Sequence, residues 1–325
     1  MGKRLTFGLG VNANEALKEI VEKSAAAEAL GLDYVWVADS PVQLYGPAVA
    51  SAVASATSKV RIGLGLMSAL LYTPEQIARV MKSLWDAYGN RFELCIGAGD
   101  KRQLRRVGVH MSPVENLAPK ILGAKERIQS ILHDTGVVTR IWLGAQGPAM
   151  LRLAREFDGV LLNYSRPNMI RWAIKFAGLR KTRGPEMGVY APAYVHFKPE
   201  SEILELAKAS SAVVALGTSA RVLRQFEMYD KYYEIRKAAD MSPTVEAILG
   251  ELPNEVVEDF SVTMTATELP SYLAQLENLG VTHVVFGYPQ NYSTKTVKDL
   301  AIALRLASRK MQPERAWKSR GRHKT

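Results

Sequence analysis

At 325 residues, with 47% hydrophobic and 23% charged side chains, the chain has the composition of a globular protein with a sizeable core. No apolar run reaches the roughly 18 residues that span a bilayer, and the start MGKRLTFGLG has no signal-peptide apolar segment, so a cytoplasmic protein without a membrane partner is expected. The net charge of +10 is uneven: seven lysines and arginines between Arg309 and Lys324 stand against Glu314 alone, and such a basic tail (311–325) is a solvated terminus, with no specific nucleic-acid partner implied.

Short β-rich runs alternate with helical patterns from end to end. RLTFGLGV (4–11) precedes a helix near 14–30, DYVWVAD (33–39) one at 46–57, and VRIGLGLM (60–67) one at 74–88. FELCIGAG (92–99) precedes a helix around 113–133, TRIWLGA (139–145) one at 147–157, and GVLLNY (159–164) one at 167–180. MGVYAPAYVHF (187–197) is followed by helical segments from about 200 to 258, and THVVFGYP (282–289) by a final helix at 294–309. Continuous apolar strands belong to parallel sheets covered on both faces. Eight βα units therefore predict a (β/α)8 TIM barrel in one domain, 1–310, with a helical insertion at about 200–265 between the seventh and eighth strands. A competing signal is Gly8-Leu9-Gly10-Val11-Asn12-Ala13, which satisfies a dinucleotide-binding G-x-G-x-x-A between strand and helix. Other strands also end in glycine, and a Rossmann fold would leave the last three βα units without a place.

The single cysteine, Cys95, excludes an intramolecular disulfide and reads as a buried structural thiol. The five histidines are scattered, so no metal site is expected. In a barrel the chemistry lies at the carboxyl ends of the strands. Those ends are Asp39-Ser40, Gly65 through Ser68 (Gly65, Leu66, Met67, Ser68), Gly97 through Asp100 (Gly97, Ala98, Gly99, Asp100), Gly144 through Gly147 (Gly144, Ala145, Gln146, Gly147), and Asn163. Small residues there leave backbone bare for a flat aromatic ligand. The turn Gly144-Ala145-Gln146-Gly147 presents backbone N–H groups where a helix begins, which favours a phosphate, and Pro148 suits the first helical position. A plain βα turn would have the same sequence.

The segments YVWVAD, GLG…YTPEQIA, NRFELCIGAGDK and IWLGAQGPAMLRLAREFDGVLLN resemble the bacterial-luciferase-like flavin and deazaflavin superfamily. Within it they are most similar to the F420-dependent methylenetetrahydromethanopterin reductases. The resemblance covers about 4–170 and returns at 276–287. It implies coenzyme F420, or alternatively FMN, at the strand ends, with a non-prolyl cis peptide backing the ring at Gly65–Leu66 and the phosphate in the 144–147 turn. It also implies Asp39 near the ring, hydride transfer to a pterin-type substrate, and a homodimer or higher homo-oligomer. The small-residue helix PAVASAVASAT (47–57) suits such close packing.

The chain departs from that group at two places. The reductases carry F-G-x-E at the end of the first strand, where this chain has Phe7-Gly8-Leu9-Gly10 and so lacks the natural proton donor. Ser40 replaces the histidine of an aspartate-histidine pair that is common after the second strand. Asp39 or Asp100 is then the expected acid, or the substrate needs no acid, and a non-catalytic flavin-binding relative is the remaining alternative. Glu93 adds a charge early in its strand, away from the pocket mouth.

Overall fold

The computed structural model describes residues 4–12, 14–110, 114–179, 184–241, 250 and 252–311. The basic tail beyond Met311, and Ala13 of the glycine motif, lie outside the described residues. The strands are β1 (Thr6–Val11), β2 (Tyr34–Val37), β3 (Arg61–Ser68), β4 (Phe92–Gly97), β5 (Ile141–Ala145), β6 (Gly159–Leu162), β7 (Glu186–His196), β8 (Val262–Thr265) and β9 (His283–Gly287). All pair in parallel, and the β6–β7, β7–β9 and β9–β1 contacts close eight of them into a barrel. The expected TIM barrel is therefore present, and closure rules out the open Rossmann sheet. Gly8 and Gly10 lie inside β1 rather than in a phosphate loop.

Around the barrel run α1 (Leu17–Ala29), α2 (Gly46–Ala56), α3 (Pro74–Tyr88), α4 (Lys101–Arg106), α5 (Val114–Asp134), α6 (Pro148–Leu151) and α7 (Pro167–Phe176). After β7 come α8 (Ser201–Gly217), α9 (Ala220–Gln225), α10 (Tyr229–Met241) and α11 (Val256–Phe260), then α12 (Leu269–Leu279) and α13 (Thr294–Met311). The local chemistry of α3 is typical. Thr73 and Gln76 form a reciprocal capping box, Pro74 opens the helix, and Ile77, Ala78, Met81 and Leu84 form its buried stripe.

Four expectations need correction. The predicted helix at 147–157 is only the single turn α6 followed by a 3-10 turn at Ala154–Glu156. The insertion is not wholly helical, since β8 closes it and pairs with Ala193–His196 of β7. β7 is long enough to serve β9 with its first half and β8 with its second. Finally, α4 and α12 were not expected.

Strand alternation divides the apolar residues into two cores. Leu9, Val35, Val37, Leu64, Met67, Ile96 and Ala145 face outward to the helices. Tyr34, Trp36, Cys95, Trp142, Leu161 and Val285 fill the lumen, with Leu66 and Tyr190 packed on them. Trp36 and Trp142 meet edge to face, ring centroids 6.0 Å apart, a geometry that contributes about 0.5–1.5 kcal/mol beyond burial. Burial pushes the Cys95 thiol up, so it stays protonated and inert.

The amino-terminal end of the lumen is polar. Glu93 is fully buried, receives Tyr34 Oη (3.0 Å) and Trp142 Nε1 (2.6 Å), and pairs with Arg61 (2.9 Å) and Arg140 (3.0 Å). Arg140 also reaches Glu186 at 2.8 Å. His283 sits beside them. Its Nε2 must accept from the Trp36 indole N–H (2.7 Å), which only donates, so Nδ1 carries the proton and faces Thr6 Oγ1 at 2.8 Å. Thr6 in turn donates to the Thr282 carbonyl. Glu93 thus lies at the end remote from the mouth, as its sequence position implied, and serves the scaffold.

Candidate active site

The mouth is built from the carboxyl ends of the strands. At its floor, a cis peptide joins Gly65 to Leu66, as the resemblance implied. The Leu66 side chain lies over the glycines of the next two strands: a Cβ on Gly97 would come within 2.5 Å of Leu66 Cδ1, and one on Gly144 would overlap the same methyl. Gly65 has its own reason, because a Cβ there would meet the Cys95 carbonyl oxygen at 2.6 Å. Gly97 and Gly144 therefore do not leave bare backbone for a ligand, as the sequence reading held. They make room for Leu66, as lower in the lumen Gly63 does for Trp36 and Gly159 for Trp142. Leu66 and Tyr190, each half-buried and packed on the lumen core, form the floor of the mouth.

The other predicted residues fall into distinct places. Ser68 ties β3 to β4 by donating to the Ala98 carbonyl at 2.7 Å, while Gly99 takes a left-handed φ of +87° against it. Met67 and the Ala145 side chain point into the outer core, so neither side chain faces the mouth. Asp100 is the N-cap of α4, accepting from the N–H groups of Arg102 and Gln103 at 2.9 Å each. A carboxylate so engaged is poorly placed to give a proton to a ligand. Gln103 also bonds Ser40, which links the ends of β2 and β4. Asn163, half-buried, lies two residues beyond the lumen-facing Leu161 on the mouth side of β6.

Asp39 is half-buried at the rim. Gly46 N–H donates to it at 3.0 Å, and the Tyr72 hydroxyl also donates. Burial raises its pKa above the ordinary carboxylate value, against those two donors. The Tyr72 phenol is itself pushed up, by burial and then by the neighbouring Asp39 charge. Tyr45 stacks obliquely near Tyr72, ring centroids 6.3 Å apart. Neither tyrosine was singled out from the sequence, although Tyr72 lies in the YTPEQIA segment.

At the opening of α6, the backbone N–H groups of Gln146, Gly147, Ala149 and Met150 have no partner among the described residues. A Cβ on Gly147 would touch nothing within 4 Å. The Gln146 carbonyl is held by the Tyr164 hydroxyl, and its side-chain amide turns away to Thr218 Oγ1 at 2.7 Å. Four free donors beside open space fit a phosphate group. With α6 a single turn, the donors and not a helix dipole carry that fit. Arg102 adds a buried, unpartnered Nη2 near the end of β4. Beyond β6, Asp259 gathers Arg166 (2.8 Å), Lys231 (3.0 Å) and the Tyr232 hydroxyl (2.7 Å), fastening the insertion to the barrel. Among the described residues no cluster of His, Cys, Asp and Glu suits a metal, and no helix is long and apolar enough to cross a membrane.

Comparison with known proteins agrees with this architecture. The luciferase-like monooxygenase family model matches residues 5–119. The 5,10-methylenetetrahydromethanopterin reductase of Archaeoglobus fulgidus is 26% identical over 311 residues, covering 88% of this chain and 94% of the relative. That of Methanopyrus kandleri is 26% identical over 325 residues, covering 88% and 93%. Among solved structures, the coenzyme F420 dependent tetrahydromethanopterin reductase from Methanopyrus kandleri superposes with a TM-score of 0.78 at 22% identity, over 92% of this chain and 97% of that one. An F420-dependent secondary alcohol dehydrogenase gives a TM-score of 0.70 at 14% identity, over 94% and 99%. The luciferase-like resemblance read from the sequence is borne out.

Proposed function

We propose, with this luciferase-like relationship as premise, that the protein is an F420-dependent oxidoreductase passing a hydride to a methylene-tetrahydropterin or close analogue. The observation that carries the reading is the set of four free backbone donors at the Gln146–Met150 turn, opening onto a mouth floored by Leu66 and Tyr190. The turn would hold the phosphate of the cofactor tail, and Leu66 with Tyr190 would back its ring. Bound F420 supplies the hydride chemistry. The protein's part is to seat two rings against each other and keep water from the floor. Asp39, whose pKa burial raises in spite of the two donors it accepts from, would hold a proton at the rim. Asp100 is left to its cap. We further propose that two copies pair through α2 and α3, where small residues line α2.

A phosphate turn serves FMN equally, and the family model is described by monooxygenases, so an FMN-dependent monooxygenase is the second reading. Titration of the purified protein with F420 and, separately, FMN, followed by absorbance, decides between them. Reduced F420 should then be oxidised on addition of methylene-tetrahydromethanopterin. The reductase reading falls if neither that acceptor nor its folate analogue is consumed. Oxygen uptake with reduced FMN would favour the second reading, and binding without turnover a non-catalytic relative.

A further inference from the structure

Tyr190, half-buried, stands apart from the buried tyrosines. Tyr34 donates to Glu93, Tyr164 to the Gln146 carbonyl, Tyr232 to Asp259 and Tyr272 to the Ser165 carbonyl, while the Tyr194 oxygen accepts from Glu200 N–H. The Tyr190 hydroxyl has no hydrogen-bond partner among the described residues. The ring is half-buried and the hydroxyl reaches solvent, so the reason for its lone position must lie in the surrounding geometry.

Its placement supplies one. Tyr190 pairs with Val285 in the β7–β9 register, and its ring leans across β9 to β1. A Cβ on Gly287 would come within 3.0 Å of Cε2, and a Cβ on Gly10 would lie 2.7 Å from both Cε2 and Cζ and overlap the hydroxyl. The phenol thus occupies a slot cut by two glycines, with its oxygen against position 10. It is the floor residue that carries a polar atom, beside the wholly apolar Leu66. Burial pushes its pKa up, so it remains a neutral O–H.

We propose that Tyr190 is the ligand-facing hydrogen-bond donor of the floor, its O–H donating to an acceptor atom of a planar heteroaromatic ring seated above it. The phenol fills the space that any longer side chain at position 10 would need, so Gly10 and Tyr190 form one unit. The role rests on the proposal that a flavin-type or pterin-type ring enters this mouth. The donor keeps its proton and orients the ring, with no net transfer.

Tyr190→Phe in the full chain tests this. With no protein partner to lose, the variant should keep the wild-type urea midpoint in the absence of ligand. F420 binding, read by absorbance titration, should weaken about 3- to 10-fold, the size of one neutral hydrogen bond. If the acceptor ring is the substrate's, the F420 Kd stays constant and the KM for methylene-tetrahydromethanopterin rises by that factor instead. Gly10→Ala, which pushes a methyl into the phenol, should move the same constant. Unchanged Kd and KM in both variants would overturn the inference while leaving the oxidoreductase reading intact. A lowered midpoint in Tyr190→Phe would overturn it too, since the hydroxyl would then be partnered within the fold. Preference of the wild type for FMN would overturn the F420 reading alone, and Tyr190 would then be scored on FMN. Failure of the wild type to bind either cofactor would remove both.

Discussion

His283 should make the folded protein sensitive to mild acid. Its ring is 1% exposed, and burial followed by the nearby Arg140 charge lowers its pKa from the ordinary 6.5 to about 3. The folded state thus holds it neutral where the unfolded chain takes up a proton. The sign follows: its contribution to stability is intact above pH 6.5 and is lost progressively as pH falls toward 3. At pH 5 the unfolded state gains about 1.5 pH units of protonation free energy, which at 1.36 kcal/mol per unit is about 2 kcal/mol. His283→Gln retains an acceptor for Trp36 but cannot titrate. Unfolding free energies from urea titrations at pH 8, 7, 6 and 5 should show the wild type losing about 2 kcal/mol more than the variant across that range. Other groups titrate in both proteins, so the difference isolates the histidine. Parallel curves would refute the tautomer and burial argument, whatever their vertical offset.

Glu93→Gln removes the carboxylate that two arginines and two ring donors converge on. Because Arg61 and Arg140 are about one-third exposed, the loss should fall near the lower end for a broken buried pair, about 3 kcal/mol, read as a lower urea midpoint. Gly65→Ala and Gly144→Ala should separate stability from binding. The first drives a methyl into the Cys95 backbone and should cost about 1–3 kcal/mol. The second meets only the mobile end of Leu66, so the fold should persist while F420 titration reports a weaker site. Asp259→Asn should free Arg166 and Lys231, and limited proteolysis should then degrade the protein faster than the wild type.

The barrel was legible because all eight of its strands are apolar runs of uniform kind, each followed by a helix signal. What escaped was set by contacts rather than by pattern. α4, KRQLRR, has no apolar stripe and exists because Asp100 caps it. β8, VTMT, is mostly half-exposed and pairs only with the far half of β7. α12 carried readable punctuation, Pro270 at its start and Gly280 in the left-handed region after it, inside a stretch assigned no element. The helical pattern at 147–157 was over-extended, because the chain leaves the helix after Leu151. For the site, the 144–147 turn and the Gly65–Leu66 peptide were visible as segments. The meaning of the glycines was not, because their partners lie across the lumen: Leu66 answers Gly144, and Tyr190 answers Gly10, from far along the chain.

The amide of Gln146 grips Thr218 at the junction of α8 and α9, while its carbonyl is clamped by Tyr164. The loop that would anchor a cofactor's tail is thereby bolted to the part of the chain inserted after β7. Grafting that insertion from a relative would retune grip on the tail even with every mouth residue left as it is. Divergence of the insertion and of cofactor affinity in this scaffold should accordingly be coupled.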